Sequence, residues 1–204
     1  RNAFIGAFYG TLWFQLGPSR LFERFSLLFF CLVFIMLGNQ QAIPGAFEDR
    51  LMFYREKGAN VYSTFAHWFA WLVSSLPSTV INTIVFSCIL YYMTGLNFSD
   101  ISKFVYFSIV LGLSNLVAFS FCQAFASGSR TMQVAIAMFP VMMFFFISFG
   151  GFLVKIPTLA LYLKSWAPDA SFVRWALQGL VINEFKGNDD VFPIPPGLPF
   201  TPSE

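Results

Sequence analysis

Polar positions are so sparse in this chain that the intervals between charges draw its map. No Asp, Glu, Lys or Arg occurs from Asn2 to Ser19, from Phe25 to Phe47, from Gly58 to Ser99, from Phe104 to Ser129 or from Thr131 to Val154. A bilayer core ~30 Å thick needs about 20 helical residues. Without water, each backbone polar group must also be satisfied internally, which leaves helices or a closed barrel. Barrel strands would alternate apolar and polar positions, and Phe144-Phe145-Phe146-Ile147 does not. The pattern predicts an all-α polytopic membrane protein with about five spanning helices, near 2–17, 21–39, 61–96, 103–126 and 131–155.

The boundaries follow from local chemistry. Gly17-Pro18-Ser19 ends the first helix, which is short for a crossing and reads as the outer part of a truncated span. Asn39-Gln40-Gln41 and Pro44-Gly45 mark a return to water after the second. The third gap admits two readings: a hairpin turning at 74–78, or one long helix kinked at Pro77. Ser127-Gly128-Ser129-Arg130 separates the fourth and fifth spans. Beyond Lys155 charges return at Asp169, Arg174, Glu184, Asp189 and Asp190, followed by a proline-rich tail. Residues 156–204 therefore read as a loop region with short interfacial helices, one of them at Trp175–Val181. Trp166 and Trp175 suit the membrane boundary.

Composition excludes a soluble bundle: 57% of the 204 residues are hydrophobic and 11% charged, against about 45–50% and 25% in globular domains. The net charge of +2, with no basic stripe, argues against nucleic acid as a partner. Cys31, Cys88 and Cys122 each lie in apolar runs, which disfavours a disulfide framework or a metal site. Ion-coupled transporters usually carry an ionisable group inside the membrane. Here only His67 approaches that role, in the interfacial start of the third gap. No signal peptide is visible, and the chain begins at Arg1 as if excised from something longer. Counting positive charges, Arg50, Arg55, Lys57 and Arg130 on one side face Arg20, Arg24 and Lys103 on the other, which weakly favours the first side as cytosolic.

The densest charge cluster is Glu48-Asp49-Arg50-Leu51-Met52-Phe53-Tyr54-Arg55-Glu56-Lys57. It reads either as a solvated loop helix or as a surface helix that docks a cytosolic partner, where interleaved charges set orientation more than affinity. Together with Tyr62 and Pro77, the run Asp49 to Glu56 resembles the E-R-x-x-F-x-R-E segment, downstream Tyr and Pro of the ABCG/pleiotropic-drug-resistance transporters, within the ABC-2 type membrane domains. Gly10-Thr11-Leu12-Trp13 resembles the G-T-L-F/W of that family's first helix, and Tyr91-Tyr92-Met93-Thr94-Gly95-Leu96 the end of its third. Arg174-Trp175 with Asn183-Glu184-Phe185 resembles the R-W/Y…N-E-F element of its last external loop. The matches fall in order along nearly the whole chain.

The resemblance implies an ABCG-like transmembrane domain fragment: five of six helices, an amphipathic cytosolic coupling segment at 40–60, and an external loop at 156–204, with the sixth helix following. It favours one kinked third helix over the hairpin. It also implies a plasma-membrane exporter of lipid-like or amphipathic molecules working by alternating access. ATP and Mg would sit on a nucleotide-binding domain of the same polypeptide, since no G-x-x-x-x-G-K-[ST] occurs here and this chain carries no cofactor or catalytic residue of its own. The implied partners are that ATP-binding domain, a second transporter half and membrane lipid.

Carried over by the same resemblance, Asp49, Arg50, Phe53, Arg55 and Glu56 would couple to the nucleotide-binding domain. Leu37, Thr79, Met143 and Phe144 would line the substrate cavity, and Phe152 and Leu153 would plug its outer end. Arg174, Asn183 and Glu184 would form a polar element of the external loop, with Arg174 or Asn183 expected to partner Glu184. Asp49 departs from the usual Glu, and the external loop lacks cysteines found in many animal members. A non-ATP-driven channel or membrane scaffold is the alternative. An intramembrane enzyme is disfavoured by the missing His, Cys and Asp constellation in the spans.

Overall fold

A computed structural model describes residues 2–14, 21–96, 101–154 and 161–185, and the described chain is all-helical. Its elements are α1 (Asn2–Leu12), α2 (Leu21–Leu37), a 3-10 turn (Gly38–Gln41), α3 (Ala42–Gly58), α4 (Thr64–Thr94), α5 (Ile101–Gly128) and α6 (Met132–Ser148), then α7 (Leu161–Lys164), α8 (Ala167–Ala170) and α9 (Phe172–Phe185). Among the described residues, three helical runs are long and apolar enough to cross a membrane: Phe22–Gly58, Thr64–Thr94 and Ile101–Gly128. Helix α6 is equally apolar but has 17 residues, and α1 has 11. The end of the fifth predicted span at 155 and the proline-rich tail lie outside the described residues.

Helix α5 is the hub, touching α2, α3, α4, α6 and α9. From α2 the residues Leu27, Leu28, Cys31, Leu32, Ile35 and Met36 are buried, a one-sided pattern of helical period that turns a single face inward. Phe107, Leu111 and Cys122 of α5 meet that face, with Phe139 and Met143 of α6. Most of α4 instead presents large apolar side chains outward, among them Phe65, Phe69, Ile81 and Ile84. In a bilayer this surface suits lipid or another helix.

Helix α1 lies against α4 through Gly6 and Gly10. A Cβ on Gly10 would fall 2.6 Å from the Met93 sulfur and 2.7 Å from its Cβ. The Gly-x-x-x-Gly spacing lets two backbones approach where side chains would hold them apart. Residues 64–94 form one continuous helix with Pro77 inside it. The Ser63 hydroxyl caps its start by accepting from the Ala66 amide at 3.2 Å, and Gly95, with φ 64°, ends it in the left-handed conformation.

Proline 140 sits inside α6 and cannot donate to the carbonyl four residues back. That carbonyl, on Ile136, accepts from the Gln40 amide at 3.1 Å. A side chain on the 3-10 turn thus replaces the missing helical bond, as backbone away from water demands. The neighbouring Asn39 amide reaches back to the Ile35 carbonyl at 3.2 Å and donates to the Asn115 side chain at 2.7 Å. Asn115 in turn donates to Thr83 at 3.2 Å, joining α5 to α4. The Cys122 thiol donates to the Asn39 carbonyl at 3.2 Å.

Candidate functional site

The charge-rich run folds as α3, which follows α2 through the 3-10 turn. Asp49, Arg55 and Glu56 are exposed on it. Arg50 is not directed outward: its guanidinium donates to the Ser129 carbonyl at 2.6 Å and more distantly to that of Ala126. These are carbonyls at the C-terminal end of α5, where helices lack internal donors and favour positive charge. The same guanidinium lies 5.5 Å from the ring centres of both Phe47 and Tyr54. Arg50 therefore fastens α3 to α5.

At the other end of α3, Phe53 packs beside His67, with ring centres 4.6 Å apart, and Tyr62 stacks on His67 at 5.5 Å. The Tyr62 hydroxyl donates to the Glu56 carboxylate. That hydrogen bond is the main reason the Tyr62 phenol is held above its ordinary value of 10.0, because losing the proton would set two anions side by side. Phe53, Glu56 and Tyr62 thus join the end of α3 to the start of α4.

At the opposite end of the bundle two charged residues are buried. Arg24 of α2 pairs with Glu184 of α9, and both are almost fully buried. Arg24 also donates to the Gly95 carbonyl at 3.2 Å, so the junction ties together α2, the end of α4 and α9. This corrects the expected partners of Glu184. Arg174 pairs instead with the exposed Asp169 at 2.5 Å, and Asn183 donates to the Lys103 carbonyl at 2.9 Å. The reason is helical periodicity: Val173, Leu177, Leu180 and Glu184 share the buried face of α9, and Arg174 lies one position off it. Gly179 allows α9 close to α5, since a Cβ there would fall 2.9 Å from the Tyr106 hydroxyl.

The four residues expected at a substrate cavity are not gathered in one place. Thr79 lines a cavity of about 180 Å³ with Asn39, Asn82 and Asn115. Leu37 packs at the edge of the core, Met143 is fully buried in it, and Phe144 is 58% exposed on the outside of α6. The two residues expected at the outer plug also diverge. Phe152 stacks on Phe29 with ring centres 4.3 Å apart and lies 5.4 Å from Phe25, while Leu153 is exposed. A larger cavity, about 720 Å³, lies between α3, the start of α4 and the end of α5.

Thr83 and Asn115 were not singled out from the sequence, Asn39 and Gln40 were read only as a return to water, and Arg24 only as a loop charge. The available signal was the presence of hydrogen-bonding side chains within or beside apolar runs, where each needs a partner in the bundle.

A hub helix, a charged helix at one end and a buried ion pair at the other define a polytopic helical membrane domain. The sequence matches the family described as ABC-2 type transporter over residues 1–185, and the chain belongs to that family. Similar proteins include members of the ABCG type. They include ABC transporter G family member 5 of Dictyostelium discoideum, 30% identical over 98% of this chain and 14% of that protein. Member 24 of the same organism is 34% identical over 91% of this chain and 16% of its own length. The Broad substrate specificity ATP-binding cassette transporter ABCG2 of Bos taurus is 26% identical over 92% of this chain and 29% of its own. The chain thus spans about a seventh of the length of the Dictyostelium relatives, and it is an integral membrane domain.

Proposed function

We propose that this chain is the membrane-spanning part of an ATP-driven exporter that moves lipid-like or amphipathic hydrophobic molecules by alternating access across the plasma membrane. Its family membership supports transport, and the printed names of its relatives support ATP as the energy source. The absence of charged residues from the five long apolar intervals supports hydrophobic rather than ionic cargo. ATP and Mg would bind a nucleotide-binding domain of the same polypeptide and supply the free energy there, and a second transporter half would complete the path.

The observation that carries the reading is the two-sided character of α3. Asp49, Arg55 and Glu56 face outward, available to a partner, while Arg50 grips the end of α5 and Phe53 packs against the start of α4. A partner that pushes on the exposed side moves both spanning helices, because neither attachment is a flexible loop. Glu56, already anchored through Tyr62, is the residue whose charge reversal most directly tests this linkage.

The test is efflux from vesicles carrying the full-length protein, assayed against a panel of fluorescent lipids and amphipathic drugs. Export that requires ATP and stops with vanadate is the expected result. Movement of the same compounds down their gradients without nucleotide would instead identify a channel, and no movement of any of them would point to a scaffold.

A further inference from the structure

We propose that the cavity of about 180 Å³ between the 3-10 turn, the middle of α4 and the middle of α5 is a water site inside the membrane, holding a small cluster of exchangeable waters. Water occupies it whether or not the chain exports anything.

Three elements bring hydrogen-bonding side chains to one depth. Asn39 and Gln41 come from the 3-10 turn, Ser78, Thr79 and Asn82 from α4, and Asn115 from α5. Thr79 stands midway along α4 and Asn115 midway along α5, where a crossing helix is farthest from bulk water. Polar groups at that depth cannot turn to solvent, and each needs a partner. Phe34, Ile35, Phe86 and Phe119 complete the walls.

The protein meets this need on one side of the cavity only. Asn39 donates to Asn115, and Asn115 to Thr83. On the α4 side, Ser78 and Asn82 are exposed, and the hydrogen bond from the Asn82 amide to the Ser78 hydroxyl is 3.4 Å long, outside the usual range of about 2.7–3.2 Å. A side-chain amide carries two donors and two acceptor lone pairs, so most of the capacity of Asn82 is unused by that contact. The Thr79 hydroxyl gives its proton to the Ser75 carbonyl at 2.9 Å, which leaves its oxygen able to accept. Gln41 adds a further exposed amide at the rim.

Size and charge select water. Among the described residues no charged side chain lines the cavity, so nothing there would offset the cost of taking an ion out of water. At about 30 Å³ per molecule in the liquid, the volume takes several waters, and it is below the roughly 300–1,000 Å³ of sites for larger molecules. A buried water makes about three hydrogen bonds and both donates and accepts, as a lining of amides and hydroxyls requires. An acyl chain would offer neither. The α4 wall begins one residue beyond Pro77, and kinks are places where water enters a helical ladder. Waters that trade hydrogen bonds would let Asn39, Asn115 and Thr83 change partners as α4 bends, without leaving any of them unpaired.

The test is X-ray radiolysis of the full-length transporter in phosphatidylcholine nanodiscs prepared in heavy-oxygen water, read by peptide mass spectrometry. Radicals formed from bound water oxidise the side chains beside it, which marks wet buried positions and spares dry ones. Phe86 should gain heavy oxygen, whereas Phe107 and Phe139, as deeply buried but outside this lining, should not. Ser78→Ala combined with Asn82→Leu should bring Phe86 down to the level of Phe107, while Trp68, exposed nearer the start of α4, keeps its labelling and reports an intact fold. Phe86 labelled no more than Phe107 in the unaltered protein would overturn the proposal, whether the cavity is dry or filled by another segment of the polypeptide. Undiminished labelling of Phe86 in the double variant would overturn it too, because the water would then not be held by α4.

Discussion

The two ends of this bundle handle charge in opposite ways. At the end formed by the start of α2, the end of α4 and α9, Arg24 and Glu184 are buried and paired with each other. At the α3 end, Asp49, Arg55 and Glu56 are exposed, and only Arg50 turns inward, to helix-terminal carbonyls. A buried pair holds elements in register but loses heavily when one partner is removed. Exposed charges contribute little to folding and remain free to meet another surface. The comparison separates an end that buries an ion pair from one that leaves its charges exposed.

Breaking the buried pair should give the largest effect. Glu184→Ala removes the carboxylate paired with the buried Arg24 charge and is expected to cost about 3–5 kcal/mol, read as a fall in the unfolding temperature of detergent-solubilised protein. The double variant Arg24→Met with Glu184→Leu should recover most of that loss. A single variant as stable as the parent would show that the junction is not what joins α2 to α9.

Between the two ends, Asn115→Leu removes the acceptor for Asn39 and the donor to Thr83. It is expected to cost about 1–3 kcal/mol in the same assay. At the α3 end, Asp49→Lys and Arg55→Glu should change stability by no more than about 0.5 kcal/mol, even though both reverse a charge. A loss comparable to that of Glu184→Ala would erase the distinction between the ends.

The smallest effect concerns Tyr62. Its phenol is raised by the hydrogen bond to Glu56, so the contact is fully present below the ordinary value of 10.0 and is lost as pH rises through the higher folded value. In difference titrations against Tyr62→Phe, monitored by phenolate absorbance, the midpoint should lie above 10.0 and drop toward it in Glu56→Gln. A midpoint unmoved by Glu56→Gln would remove that contact from the account.

What the sequence disclosed follows the same division. The apolar intervals were legible because charge is so costly in lipid that its absence marks a span. The α3 cluster was legible because local composition carries it. The residue pattern of 58–99 alone left a turn and a continuation open, since Pro77 suits either; the family resemblance favoured one kinked helix, and in the fold α4 runs through Pro77. The partner of Glu184 was out of reach for another reason. Arg24 lies 160 positions away, and only the packing of α9 on α2 brings the two together. Gln40 looked like part of a polar turn returning to water, yet it serves a carbonyl released by Pro140 on a different helix. Gly6 and Gly10 carried a readable spacing for close helix approach, but their meaning depended on Met93 of α4.

The central claim is that α3 passes work from an ATP-driven partner to the spanning helices. Full-length protein and its Glu56→Lys variant, reconstituted in vesicles, would be assayed side by side for ATP hydrolysis and for ATP-dependent movement of an amphipathic dye. The account predicts that the variant inserts and hydrolyses ATP while dye movement per ATP collapses. An unchanged ratio of transport to hydrolysis in the variant would contradict it.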